Sequence, residues 1–551
     1  MRKVVLGLAA ALAFGASCAT PAPPAAIASA APMAPQATAS APQEFLVTLA
    51  LGAEPMSGRL IAVAAPVASV ILAGRPRPPI VSADDGSYVA AQEAPIVTPA
   101  QGVRFDADLL AYPTPFSHIA AGEYWVQVRL DVNHNAAYRL PDPAIDFVSE
   151  PVKMALPASA TISVTLKPER DVVRIGMPAP PIPAQAAQTA ASVTASAEAD
   201  AHIKPIDFVS PSLSEFWGRP MHVRGIILLP PDYDASSERY PTAYRTEGFG
   251  GSLAILPGAA RQIYGLMKSG QAPPMIRVFL DHSSPWGTHE FADSANNGPW
   301  GLALTEELIP SLEKQYRMDA KPSGRFVTGH SSGGWFAIWQ QVRYPTFYGG
   351  AWPSSPDPVD FRSFTGIDIY RQGANAYVRP DGSPQYLVRG ADGKETTSFR
   401  DYALQENVLG DYGGQIDSFD WAFSPKGDDG RPQPLFDRIT GKVDPKVAQY
   451  WRDHYDISHI IKRDWVSLKP VLDGKIHMTM GDLDTFHLNE AAHLLQQEMD
   501  RLGASASFTF IPGGTHFNTG RIGADPQGLE KKISWEMWAV ARPNSPLKPK
   551  Q

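Results

Sequence analysis

Between residues 44 and 167 the large apolar residues come in short, partly alternating runs such as "EFLVTLAL" (44–51), "GRLIAVAA" (58–65), "GEYWVQVRLDV" (122–132) and "TISVTLK" (161–167). They are rich in β-branched and aromatic residues, are separated by Pro/Gly turns, and show little helical period, so a small all-β sandwich domain is expected over 44–170. From residue 203 the pattern changes. Strand-like runs ("HVRGIILLP", 222–230; "MIRVFLD", 275–281; "GRFVTG", 324–329) now alternate with helix-like ones, and in "LTEELIPSLEKQYR" (304–317) Leu304, Leu308 and Leu312 recur at i,i+4 to make one apolar stripe. This alternation predicts an α/β domain with a mostly parallel central sheet over 204–551.

Three stretches break the pattern. Residues 19–43 and 171–203 are rich in Pro and Ala with few large apolar side chains, and read as a disordered tether and a linker. Residues 354–469 carry Asp-Gly and Gly-Gly turns and scattered aromatics without clear periodicity, which predicts an insertion of binding loops or a lid near the site. The pattern then resumes with "GKIHMTMGDLD" (474–484), "NEAAHLLQQEMDRLG" (489–503), "ASFTFIPG" (506–513) and "GTHFNTGR" (514–521).

At 551 residues the chain exceeds what one core organises, and 44% hydrophobic residues supply at least two cores. The formal net charge of −8 and the lack of a basic run exclude a nucleic-acid footprint. Arg2 and Lys3, the apolar run 4–14 and small residues up to Cys18 have the build of an export signal over 1–18, too short to span a bilayer. A periplasmic or outer-membrane-associated protein is expected. Cys18, the single cysteine, stands where a lipoprotein signal places a lipidated cysteine, so a lipid anchor there and simple cleavage nearby both stay open. Oligomeric state is not encoded in any motif.

"GHSSG" (329–333) fits G-x-S-x-G with a strand before it and a helix after it, the setting in which a nucleophile stands on a sharp turn. Ser331 is the centre, with Gly329 and Gly333 relieving the crowding and a helix N-terminus aimed at a developing oxyanion. A serine needs a base, and the base needs an orienting carboxylate. The chain order Ser…Asp…His then points to Asp484, with Asp482 as the alternative, and to His516. His487 reads as a surface residue at a helix start. An oxyanion hole would draw its N–H groups from Ser332 and from Phe249 in the Gly-rich loop "TEGFGGS" (246–252). The loop "DHSSPWGTHEFADSANNGPWG" (281–301) gathers His282, His289, Glu290 and Asp293, but their irregular spacing suits a substrate loop or a structural network better than a metal. Trp335 and Trp339, at i,i+4 on the helix after Ser331, read as core. Neither metal nor organic cofactor is required by this chemistry.

Taken in order, "GIILLPPDYDASSERYPTAY", "EGFGG", "GPWGLALTEELIPSLEKQYR", "GHSSGG", "GDLDTF" and "GGTHF" resemble the putative-esterase branch of the α/β-hydrolases, which includes enterochelin esterases, feruloyl esterases, S-formylglutathione hydrolase and mycolyltransferases. The resemblance spans roughly 221–517. It implies an α/β-hydrolase fold, and a serine esterase with nucleophile Ser331, acid Asp484 and base His516. Glu247 stands where relatives carry His, a departure within the oxyanion loop. A leading β-sandwich resembles the N-terminal domain of siderophore and some carbohydrate esterases. The substrate alternatives are siderophore lactones, feruloyl or acetyl groups on polysaccharide, and peptide amides. A hydrolase-like binding protein without catalysis is the alternative of another class.

Overall fold

The computed structural model describes residues 42–67, 86–134, 145–171, 197–410 and 412–549. The export signal with Cys18, nearly all of the tether and linker residues 172–196 lie outside the described residues. Residues 197–202, read as linker, are helical, and Tyr264 Oη donates to the Glu198 carboxylate at 2.8 Å. Among the described residues no helix is long and apolar enough to cross a membrane.

The N-terminal strands follow one hydrogen-bonded path: Val103–Asp106, Glu44–Leu49, Ile162–Pro168, Phe147–Val148, Gly122–Asp131, Met56–Pro66, Tyr88–Val97 and Ala111–Tyr112, with Val152–Leu156 also on Gly122–Asp131. The two-sheet partition expected of a sandwich is thus bridged, because Phe147–Val148 pairs with both Gly122–Asp131 and Ile162–Pro168. Period-2 alternation buries Tyr124, Val126, Val128 and Leu130 against Phe45, Leu60 and Leu166 in a single core. Met56–Pro66 departs from alternation because both its faces are covered. Its outer residues Ile61 and Val63 pack with Val89 and Ala91 against Val408 and Leu409 of the Phe399–Leu409 helix.

The second sheet has eight strands in the order Ile203–Ser210, Met221–Leu228, Ile276–Leu280, Thr242–Thr246, Arg325–His330, Gly350–Ser354, His477–Gly481, Ser507–Ile511. The first two ladders are antiparallel and the other five are parallel. Every residue of Ile276–Leu280 is buried, as befits a strand covered on both faces. Leu304, Leu308 and Leu312 sit in the core beside Tyr244, Val278 and Phe336.

The expected irregular insertion over 354–469 is corrected by four helices, Phe399–Leu409, Gln415–Phe423, Pro445–His454 and Ile457–Leu472. Three begin on side-chain caps, Ser398, Asp444 and Asp456, that are embedded in turn-like sequence. The scattered aromatics are core rather than an open binding surface. Phe423 lies 4.8 Å from Trp335 between ring centroids, Trp339 lies 5.6 Å from Tyr455, and Phe361 and Phe364 pack on Trp451.

Candidate active site

Ser331 joins the strand Arg325–His330 to the helix Ser332–Arg343 with φ +58° and ψ −123°, a left-sided backbone that non-glycine residues seldom adopt. Its surroundings hold it there. A Cβ on Gly329 would lie 2.2 Å from Gly333 O, and one on Gly333 would lie 2.2 Å from Thr246 O, so both flanking positions exclude any side chain. Ser331 N donates to Ser354 O at 3.1 Å, while Ser331 O accepts from the N–H groups of Gly334, Trp335 and Asp357 at 2.7, 3.0 and 3.1 Å.

Asp484 and His516 come from the loops after two neighbouring parallel strands, His477–Gly481 and Ser507–Ile511. His516 Nδ1 lies 2.8 Å from Asp484 Oδ2, with 2% and 0% of the two residues exposed. A buried carboxylate can only accept, so Nδ1 carries the proton and Nε2 is left as the basic nitrogen. Asp484 Oδ1 accepts from Phe486 N at 2.9 Å, which fixes the carboxylate plane. Asp482 is exposed and turned elsewhere, its Oδ1 accepting from Gly513 N at 2.6 Å. His487 does start the helix Leu488–Arg501, but it is buried rather than on the surface, at φ +62° and near Glu490.

The Gly-rich loop approaches the serine closely. A Cβ on Gly248 would lie 2.9 Å from Ser331 Cβ and 3.4 Å from its Oγ, so glycine here lets the backbone beside Phe249 reach Ser331. Gly248 O accepts from His282 Nε2 at 3.3 Å and from Gly251 N at 2.9 Å, which orients the loop. Glu247 has a structural task. Burial alone would raise its carboxyl, but the Arg245 guanidinium at 3.0 Å holds it below the ordinary carboxylate range, and Arg245 also reaches Glu530.

The 281–301 loop is a buried network. Burial pushes the His282 imidazole down to about 4, His289 stacks on Trp300 with centroids 3.6 Å apart, and Asp293 accepts from Leu302 N and from Tyr344 Oη. Glu290 and Phe291 are consecutive non-glycine residues at φ near +50°. Among the described residues no three His, Cys, Asp or Glu side chains are grouped to hold a metal ion. His330, packed 4.6 Å from the His516 ring, is pushed down to about 3 by burial and by its positive neighbours.

Sequence reasoning missed Asp357. Its Oδ1 accepts from Ser331 Oγ at 3.3 Å and its Oδ2 from Ser332 Oγ at 2.6 Å. It follows the strand Gly350–Ser354, which pairs with Arg325–His330 in the register His330↔Ser354, and the one available signal was the turn "SSPD" after that strand. Ser332 therefore offers more than a backbone amide.

The family model described as "Putative esterase" matches residues 214–496. The chain is 27% identical over 136 residues to "Uncharacterized protein YbbA" of Bacillus subtilis (strain 168), covering 23% of this chain and 53% of the relative. It is 26% identical over 145 residues to "Esterase Rv1288" of Mycobacterium tuberculosis (strain ATCC 25618 / H37Rv), covering 26% of this chain and 31% of the relative. The match thus spans about half the length of the first of these relatives and about a third of the second. Among solved structures, a ferulic acid esterase aligns at 14% identity over 62% of this chain and 97% of its own, with a TM-score of 0.35. An S-formylglutathione hydrolase from Agrobacterium tumefaciens aligns at 13% identity over 62% and 94%, also with a TM-score of 0.35.

Proposed function

The chain belongs to the Putative esterase family, and from that premise we propose that it is an exported serine hydrolase of carboxylic esters. The observation that carries the reading is the buried 2.8 Å contact of His516 with Asp484 in the same sheet that presents Ser331 on a strained turn. In the proposed cycle Ser331 Oγ attacks the ester carbonyl carbon while its proton passes to His516 Nε2, and Asp484 Oδ2 holds Nδ1–H and stabilises the imidazolium. The carbonyl oxygen becomes an oxyanion received by the N–H groups of Phe249 and Ser332. Collapse breaks the bond to the alkoxy oxygen, which leaves with the His516 proton as an alcohol. Water, deprotonated by His516, then attacks the acyl-serine and releases the acid.

The charged start and short apolar run of residues 1–18 support export, and Cys18 supports a lipid anchor at the membrane surface. The test of the catalytic reading is hydrolysis of short- and long-chain p-nitrophenyl esters by wild type and Ser331→Ala. The variant is expected to fall by about three orders of magnitude or more. Equal rates for the two proteins would overturn the reading.

A further inference from the structure

Asp357 is gripped from two sides. Its N–H donates to Ser331 O at 3.1 Å, and its Oδ2 accepts from Ser332 Oγ at 2.6 Å, which aims Oδ1 at Ser331 Oγ, 3.3 Å away. The residue is 2% exposed. A serine hydroxyl has a single proton, so it serves Asp357 Oδ1 or His516 Nε2 at any moment, not both. An ionised carboxylate binds that proton more strongly than a neutral imidazole does.

We propose that Asp357 is a positioning residue for Ser331, whose ionised carboxylate holds the hydroxyl in a resting arrangement and whose neutral form releases the hydroxyl proton to His516. The proposal rests on the reading of Ser331 as nucleophile. The groups facing Asp357 come from every side: the Ser331 and Ser332 hydroxyls, His516, Asp484, and Glu290 of the 281–301 loop. Among the described residues none of these is a lysine or arginine, and Glu290 Oε2 is buried with no hydrogen-bond partner. Burial raises the Asp357 carboxyl to about 6, and Asp484 adds to the rise, against the lowering by the Ser332 bond, the His516 charge and the Ser331 bond. Burial, and after it the Asp357 charge, raise the Glu290 carboxyl well above the ordinary carboxylate range. The charge on Asp357 therefore varies around about pH 6, and the arrangement of the nucleophile varies with it.

The experiment measures the second-order rate of Ser331 labelling by a fluorophosphonate, and kcat/KM for p-nitrophenyl butyrate, across about pH 5 to 9 for wild type, Asp357→Asn and Ser332→Ala. The Asn side chain can still accept from Ser332 Oγ through its oxygen, but its NH2 faces Ser331 and cannot take the hydroxyl proton. The ratio of Asp357→Asn to wild type is expected near one at low pH, rising on the order of ten-fold with a midpoint near the Asp357 value of about 6. Ser332→Ala loses a bond that favours the ionised form, and its break is expected at higher pH than in wild type. This second variant decides the matter if Asp357→Asn does not fold. A ratio independent of pH, a slower Asn variant above the midpoint, or an unmoved break in Ser332→Ala overturns the proposal while leaving the esterase reading intact. A wild type that neither labels nor hydrolyses overturns both.

Discussion

His516 Nδ1 and Asp484 Oδ2 meet at 2.8 Å although 32 residues separate them in the chain. They stand at the ends of adjacent parallel strands paired in the register Gly481↔Ile511. Parallel strands end on the same edge of a sheet, so residues just beyond their C-terminal ends meet without any further device. A Cβ on Gly481 would lie 2.3 Å from Gly514 O, which shows how closely the two departing loops approach.

Asp484→Asn is expected to lower kcat for p-nitrophenyl esters by roughly 10⁴-fold, because an amide presents the imidazole with a donor and favours the wrong tautomer. Asp482→Asn, four-square on the surface and bonded to Gly513 N, is expected to stay within a few-fold of wild type. Steady-state kinetics on the two variants separates the carboxylates, and the reverse ranking would remove Asp484 from the mechanism.

Arg59 ties the N-terminal β region to the helix Phe399–Leu409. Its Nε and Nη2 donate to Val408 O at 3.2 and 2.8 Å, satisfying a carbonyl in the last turn that has no partner within the helix. Arg59→Ala leaves this buried oxygen unpaired and is expected to cost about 1–3 kcal/mol. Urea unfolding should show the loss. Activity per folded molecule should be retained, since Arg59 has no part in the chemistry; a stability equal to wild type would mean that the contact contributes nothing.

Two buried histidines predict acid sensitivity. The unfolded chain binds a proton on each near the ordinary imidazole value of about 6.5, whereas burial holds the folded values down to about 4 for His282 and about 3 for His330. The unfolded state therefore binds more protons in this window, and stability falls as pH drops from about 6.5 towards about 4. Urea midpoints measured across that range should slope downward with acid, and His330→Asn should flatten the slope. An unchanged slope in the variant would assign the acid sensitivity to other groups.

Much of the site was readable where its cause is local. "GRFVTGHSSGGWF" names a strand, a turn of small residues and a helix, and the steric need for Gly329 and Gly333 is written in the motif itself. The stripe of Leu304, Leu308 and Leu312 likewise needs no partner to be recognised. Three of the four helices of 354–469 were hidden because they run only 9 to 11 residues among Gly- and Pro-containing turns, and Ile457–Leu472 because it follows Pro445–His454 after only two residues. Their apolar residues, such as Phe419, Phe423 and Trp451, make sense only once Trp335 and Trp339 are set opposite them. His487 looked exposed because nothing near it in the chain indicates what covers it.

The alternation of strands and helices, the turn at Ser331 and the side-chain types that a serine nucleophile would need downstream were legible in the chain alone, because these depend on period, on steric room and on side-chain identity. Only the tertiary structure set Asp484 rather than Asp482 against His516, turned Glu247 into a partner of Arg245, and brought Asp357 to Ser331. Each of those outcomes depends on which strands lie side by side and in what register, as His330↔Ser354 does. Register is set by the burial of whole faces across distant segments, and no single stretch of the chain carries that information.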